Sequence, residues 1–232
     1  MIKTAKPTKD AVPSAYAVWL SPNEGDYNFH AYRSGSYGFV LSDLLRDQKR
    51  PFRFLDIGAN QGLFSLIAAS NTACDHVFAF EPIQKTAKIL RRNLDLNKVQ
   101  NVDVIEKAIS KQSGQAIMNT KDGHSGVATL REPEKQFDQQ VKVGVISALE
   151  LNAIVSAEGP PIIIKIDVEG HELVVLDQLF QTDFAKDIAM IFYECDTAWF
   201  DPAAARRMLE TQGFNSFQEF GSKRHFDVLA TR

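Results

Sequence analysis

Apolar positions along the chain fall into short runs that alternate with one-sided amphipathic segments. Phe39, Val40, Leu44 and Leu45 predict a short helix between Tyr37 and Arg46. RFLDIG (53–58) is a compact apolar run ending in an acid and a glycine, and LFSLIAAS (63–70) predicts a helix after it. HVFAFEP (76–82) reads as a second buried strand ending in an acid. From Gln84 to Asn97, Ile83, Ala87, Leu90 and Leu94 share one face while Lys85, Lys88, Arg91, Arg92 and Asp95 decorate the other, an amphipathic helix. VDVIEKAIS (102–110) predicts a third strand. The rhythm resumes with PIIIKID (161–167), HELVVLDQLF (171–180), IAMIFYEC (188–195) and PAAARRMLETQG (202–213).

Strand and helix alternating through short connections predict an α/β fold, a mostly parallel sheet with helices on both faces. NSFQEF (215–220) and HFDVLAT (225–231), joined by Gly-Ser-Lys-Arg, predict an antiparallel hairpin at the end. Residues 113–147 break the pattern with short alternating segments around turns such as KDGHSG. They predict a small β excursion over the carboxyl edge of the sheet, either a substrate-facing loop or an ordinary surface hairpin. The first 25 or so residues, with Pro7, Pro13 and Pro22, read as an irregular arm rather than a core element.

At 232 residues and 44% apolar, the chain fits one large domain and is long enough to bury a full core. A net charge of −3 argues against nucleic-acid binding driven by bulk charge. The two cysteines, Cys74 and Cys195, cannot build a disulfide framework, and no Cys/His cluster has zinc spacing. No run of 18 apolar residues or signal-like leader is present, so the expectation is a soluble protein of a reducing, cytoplasmic compartment with no transmembrane segment.

Ligands of open parallel sheets bind beyond the carboxyl ends of the strands. The first strand ends in DIGANQG, with Asp56, Gly58, Asn60 and Gly62. The turn has no third glycine for a pyrophosphate and no Lys-Ser/Thr of a phosphate-cradling loop, and Asp56 would repel a phosphate. Glu81 ends the second strand, 25 residues after Asp56, where an acid accepts hydrogen bonds from both ribose hydroxyls. A nucleoside without pyrophosphate but with a positive centre describes S-adenosylmethionine. The blander alternatives are another ligand on a nucleotide fold, or strand ends that only cap helices.

FLDIGANQGLFS, FAFEP, KAIS and above all IIIKIDVEGHELVVL resemble the FkbM family of S-adenosylmethionine-dependent methyltransferases. The resemblance runs from about Phe52 to the terminal FDVLATR and does not reach the segment before Lys49. It implies a class I methyltransferase (Rossmann-like) seven-stranded sheet with an antiparallel last strand. It divides the chain into an N-terminal arm and helix (1–49) and an S-adenosylmethionine-dependent methyltransferase domain (50–232). It also implies O-methylation, typically of a hydroxyl on a sugar, glycolipid or polyketide-type natural product. By this resemblance Asp56 and Asn60 contact or order the methionine part, and Gly58 lies against the ligand, with Ala59 and Gly62 in the same turn. Glu81 binds the ribose, Pro82 starts the next helix, and Ala108, Ile109 and Ser110 sit beside the adenine.

KIDVEGHE (165–172) is the expected reaction segment. A charged Asp167 ending an apolar strand is costly without a partner, so it is read as functional, both catalytic and near the cofactor. Glu172 is read as a helix cap. Methyl transfer to oxygen needs a proton taken from a hydroxyl, and His171 is the candidate base, with Asp167 or Glu169 orienting or replacing it. A histidine at a helix start has an equally good structural explanation. His124 and Glu194 are candidate substrate contacts. Carboxylates at 167, 169 and 194 suit Mg²⁺, but their spacing is not diagnostic and the expectation is no metal. The expected partner is a small-molecule or carbohydrate hydroxyl acceptor. N-methylation of an amine or protein side chain, and a catalytically silent nucleoside-binding module, remain the alternatives. No DPPY-type or NPPY-type segment points to nucleic acid.

Overall fold

The computed structural model describes residues 10–131, 137–222 and 224–232. Two short strands, β1 (Val12–Pro13) and β2 (Trp19–Leu20), precede helices α1 (Tyr27–Ser34) and α2 (Phe39–Asp47). The alternating unit follows as β3 (Phe52–Ile57), α3 (Leu63–Ala69), β4 (Cys74–Phe80), α4 (Gln84–Asn97) and β5 (Val102–Ile105). The excursion comprises β6 (Ala108–Ile109), β7 (Gly114–Lys121), β8 (His124–Thr129) and β9 (Gln139–Ile146). Then come α5 (Ala148–Ile154), β10 (Ile162–Ile166), α6 (Glu172–Phe180), β11 (Ile188–Asp196), α7 (Pro202–Thr211), β12 (Ser216–Ser222) and β13 (His225–Thr231).

Side chains of a strand alternate between faces, and β3 shows why the fold has three layers. Phe52 and Phe54 pack into one core with Leu41, Leu45, Leu63, Leu66 and Leu90 from α2, α3 and α4. Leu55 and Ile57 pack into the other with Leu151, Val175, Leu176 and Leu209 from α5, α6 and α7. Among the described residues the central sheet has seven strands in the order β12-β13-β11-β10-β3-β4-β5. Its pairings are parallel except those of β13, which is antiparallel to both β11 and β12. The chain runs outward from β3 through β4 to β5 and then restarts on the other side at β10. The crevice therefore opens where β3 and β10 lie side by side. No described helix is long and apolar enough to cross a membrane.

Two expectations need correction. The third strand is two strands: the Lys107 N–H turns back to the Ile105 carbonyl at 2.9 Å, so β5 stays in the central sheet while β6 pairs with β9 in a separate sheet ordered β6-β9-β7-β8. That small sheet is the expected excursion. The irregular-arm reading also fails over the described residues. Tyr16, Val18, Leu20 and Phe29 are buried in the same core as α3 and α4. AYAVWL (15–20) is a continuous apolar run with its side chains at 16, 18 and 20 buried, which the surrounding prolines and lysines concealed. The segment is fastened by two asparagines of α4: Asn93 Oδ1 accepts the Ser21 N–H at 2.7 Å, and Asn97 bonds both polar groups of the Trp19 backbone.

Asn93 is fully buried and also donates to the Gln61 carbonyl at 2.8 Å. Asn93→Ala leaves a buried N–H and a buried C=O unpaired, with an expected cost of about 2–4 kcal/mol in urea unfolding. The exposed neighbour Arg92→Ala should stay within about 0.5 kcal/mol of wild type. Equal effects would mean the N-terminal segment is not built into the core.

Candidate active site

The turn after β3 is shaped by its approach to the end of β10. Gly58 has φ +78°, and a Cβ there would lie 1.9 Å from the Asp167 carbonyl oxygen, so only glycine fits. The Gly58 and Ala59 N–H groups both donate to the Phe80 carbonyl at 3.0 Å. Glu81 fixes the rest of the turn. Its Oε2 accepts the Asn60 N–H and its Oε1 the Ile83 N–H, each at 2.9 Å. Each oxygen keeps a lone pair for a further donor. Burial pushes the Glu81 carboxyl up to about 7 despite these bonds.

Beneath the turn lies an ion cluster that the sequence reading did not single out. Lys165 interrupts the apolar run of β10 and is 4% exposed. Its Nζ donates to the Gly58 carbonyl at 2.5 Å and lies 3.3 Å from Asp167 Oδ2 and 3.6 Å from Asp56 Oδ1. Burial alone would lower its pKa, but the Asp167 and Asp56 charges outweigh that and hold it above the usual lysine value. Asp56 is fully buried, and its Oδ2 accepts both the N–H (3.0 Å) and the hydroxyl (2.6 Å) of Ser65. Tyr37, partly exposed between α1 and α2, donates its hydroxyl to Asp167 Oδ2 at 2.8 Å.

The 167–172 turn gathers further acids. Glu169 has φ +55°, and its carbonyl accepts the Thr129 hydroxyl at 2.7 Å. Burial, then the Glu194, Asp167 and Glu172 charges, pushes its carboxyl up to about 10. Glu194, at the end of β11, sits 3.0 Å from His225 Nε2; burial and then Asp167 push it up to about 7, against the pull of His225. Glu172 is fully buried, and its Oε1 accepts the Val168 and Gly170 N–H groups at 3.1 and 3.2 Å. It closes the turn from below. His171 points elsewhere: its Nε2 lies 3.4 Å from the Ser110 hydroxyl, and burial, then Lys111, lowers its pKa.

One cavity is lined by Gly58, Ala59, Asn60, Glu81, Pro82, Ala108, Ile109, Asp167, Glu169 and His171. Apolar walls from Phe64, Phe80, Met118 and Val168 complete it, with Asn28, Tyr32 and Tyr37 from the N-terminal segment. Its apolar walls and few convergent polar groups suit a nucleoside cofactor. Five expected residues lie off the cavity wall, Ser110 among them, hydrogen-bonded to His171 at its edge. Asp56 sits behind it and reaches it through Lys165. The α-face of Gly62 meets Leu90, whose Cγ would be 2.9 Å from an added Cβ, so that glycine serves α3–α4 packing. Glu194 stands behind Asp167 and Glu169. His124 stacks on Tyr27 at 4.7 Å beside a separate groove, because the strand turns Ser125 rather than His124 toward the cavity. Lys165 was findable as a charge inside IIIKI; Tyr37 had no pattern to mark it.

Comparison with known proteins agrees with this geometry. Solved structures share the architecture. A putative methyltransferase from Streptococcus mutans in complex with S-adenosylhomocysteine superposes with a TM-score of 0.52 at 9% identity, covering 83% of this chain and 95% of that one. M. capricolum TrmK, also with S-adenosylhomocysteine, gives 0.50 at 12% identity, covering 84% and 68%. These likenesses and the sheet order define a class I methyltransferase fold. Residues 56–216 match the methyltransferase FkbM domain model, and the chain belongs to that family. It is an S-adenosylmethionine-dependent methyltransferase. Among curated relatives, "Methyltransferase 1" of Beauveria bassiana is 24% identical over 177 residues, 69% of this chain and 71% of that protein. "Hexuronic acid methyltransferase AglP" of Haloferax volcanii is 28% identical over 171 residues, 73% of this chain and 66% of that protein.

The buried Glu172 makes stability depend on pH in a defined direction. Its carboxyl rises from 4.5 to about 7 on folding, so between those values the folded state holds more protons and stability falls as pH rises. The urea midpoint should drop between pH 5 and 8. Glu172→Gln, which keeps the Oε1 acceptor, should flatten that drop by an amount on the order of 2 kcal/mol. An unchanged slope in the variant would assign the pH dependence elsewhere.

Proposed function

We propose that the enzyme methylates a hydroxyl oxygen of a small, carbohydrate-like acceptor, and that transfer takes place at the Asp167 end of the cavity. The observation that carries this reading is the polar set at that end: Asp167 held by Lys165 and Tyr37, with Glu169 beside it on the cavity wall. The Haloferax relative is a hexuronic acid methyltransferase, which supports a sugar acceptor.

The residues divide along the cavity. Glu81 is placed to accept the ribose hydroxyls, with Pro82 behind it. Ala108 and Ile109 flank the base, and Ser110 with His171 close that end. Gly58, Ala59 and Asn60, braced from below by Lys165 and Asp56, face the methionine part. S-adenosylmethionine supplies a methyl group already activated by its sulfonium. The protein must therefore position the acceptor in line and receive its proton. Asp167 accepts the hydrogen bond of the hydroxyl and then its proton, while Glu169, whose carboxyl is pushed up to about 10, stands beside it as a hydrogen-bonding group. His171 belongs with the base-binding end, since its ring faces Ser110 rather than the acids. Asn28, Tyr32 and Tyr37 border the transfer end, so the N-terminal segment takes part in acceptor choice.

Asp167→Asn should lower turnover of labelled methyl into a uronic-acid and sugar panel by about a hundredfold or more. His171→Ala should stay within about tenfold of wild type. The reverse order would restore His171 as the base. S-adenosylhomocysteine affinity, read by calorimetry, should rise about tenfold per pH unit below about 7 and then level, because the Glu81 carboxylate is the binding form. Glu81→Gln should remove that dependence. A folded protein that does not bind the product at any pH would overturn the placement.

A further inference from the structure

The carboxylates of Asp167, Glu169 and Glu194 come from the ends of neighbouring strands β10 and β11. One oxygen of each lies within 4.8 Å of the others. Clustered acids alone say little, because exposed acids often cluster. Here a second observation separates the site from a solvated patch. Glu194 is only 8% exposed, and its Oε2 is shut off from solvent with no hydrogen-bond partner. Its other oxygen is taken by His225 on the far side. Lys165 is already committed to Gly58, Asp56 and Asp167. His225 answers the charge at Oε1, but a buried carboxylate oxygen without a donor is costly, and Oε2 has none.

We propose that Asp167, Glu169 and Glu194 bind a divalent cation of the Mg²⁺ or Mn²⁺ class at the transfer end of the cavity. Three hard oxygen donors and no sulfur or unengaged imidazole match such ions. Oxygens on an octahedral ion at about 2.1 Å stand about 3 Å apart along edges and about 4.2 Å across, so side-chain rotation of under about 1 Å closes the set. Asp167 and Glu169 line the cavity, and the remaining coordination positions therefore face it. This reverses the expectation from sequence of a metal-free site: strand adjacency brings together residues that are separated by 27 positions in the chain. The ion would take an oxygen of the acceptor and make its hydroxyl more acidic. An acceptor with a second oxygen on the adjacent carbon, hydroxyl or carboxylate, would chelate it. That last step rests on the hydroxyl-transfer reading; the cation site does not.

The test is titration of the full-length protein with Mn²⁺, following free ion by electron paramagnetic resonance, with S-adenosylhomocysteine present and absent. We expect one saturable Mn²⁺ per chain with Kd below about 1 mM, displaced by excess Mg²⁺. Glu194→Gln and Glu169→Gln should each weaken it by about tenfold or more, while the product still binds in calorimetry. Glu169 is on the turn rather than in the core, so its variant keeps the test decisive if Glu194→Gln fails to fold. No saturable binding up to roughly 5 mM in protein that binds the product overturns the cation site and leaves the cofactor reading intact. Binding unchanged in a folded variant of either residue overturns it too. Cation binding without product binding would instead sink the cofactor placement alone.

Discussion

The Lys165 ammonium, buried between Asp56, Asp167 and the Gly58 carbonyl, is the interaction on which the site depends. An unpaired buried ammonium would cost several kcal/mol, so the position is tenable only because two carboxylates and a carbonyl surround it. Each partner carries the constraint outward. Asp56 holds the first turn of α3 through Ser65, and Gly58 belongs to the turn that Glu81 fixes. Asp167 fastens Tyr37 and hence the segment between α1 and α2. A charge placed in the middle of an apolar strand thus ties the two strand ends at the crevice, a helix start and the cavity rim into one arrangement.

The electrostatics around that ammonium are lopsided. Asp56, Asp167, Glu169, Glu172 and Glu194 converge on a low-dielectric region in which Lys165 and His225 are the positive groups among the described partners. Burial raises Glu81, Glu169, Glu172 and Glu194 alike, and for Glu169 and Glu194 the neighbouring carboxylates disfavour the charge further, the mark of that imbalance. Such a field favours positive charge entering the cavity. The sulfonium of S-adenosylmethionine carries such a charge. Glu194 lies off the cavity wall, and its Oε2 has no hydrogen-bond partner.

The central sheet was legible because its strands are buried on both faces and read as continuous apolar runs closed by an acid or glycine. IIIKID and FAFEP show their ends in the letters themselves. The same logic picked out Gly58, Asn60, Glu81 and Asp167, each at a strand end. What the letters do not show is side-chain direction. His171 and Glu169 are two residues apart, yet one faces Ser110 and the other the acids. Whether His124 or Ser125 faces the cavity is a matter of strand register, which turn composition does not reveal. Tyr16, Val18 and Leu20 belong to the apolar run AYAVWL, but prolines and lysines around it gave the impression of an arm.

Asp26 shows why the acceptor is the least legible feature. Its carboxylate accepts the Asn28 and Phe29 N–H groups at the start of α1, the N–H and hydroxyl of Ser125 on β8, and the Gln61 side chain from the cofactor turn. Ser125 Oγ also lies 2.8 Å from Asn60 Oδ1. The N-terminal segment, the β excursion and the cofactor turn therefore meet at one buried carboxylate and form a single wall. The family match begins at residue 56, after Asp26 and α1. The strand ends carry the chemistry the family shares, while the wall that an acceptor meets is assembled partly from residues outside the matched span. On the proposed reading, acceptor choice follows from how Asn28, Tyr32 and Tyr37 are held against the cofactor turn, a geometry that no local pattern in the chain encodes.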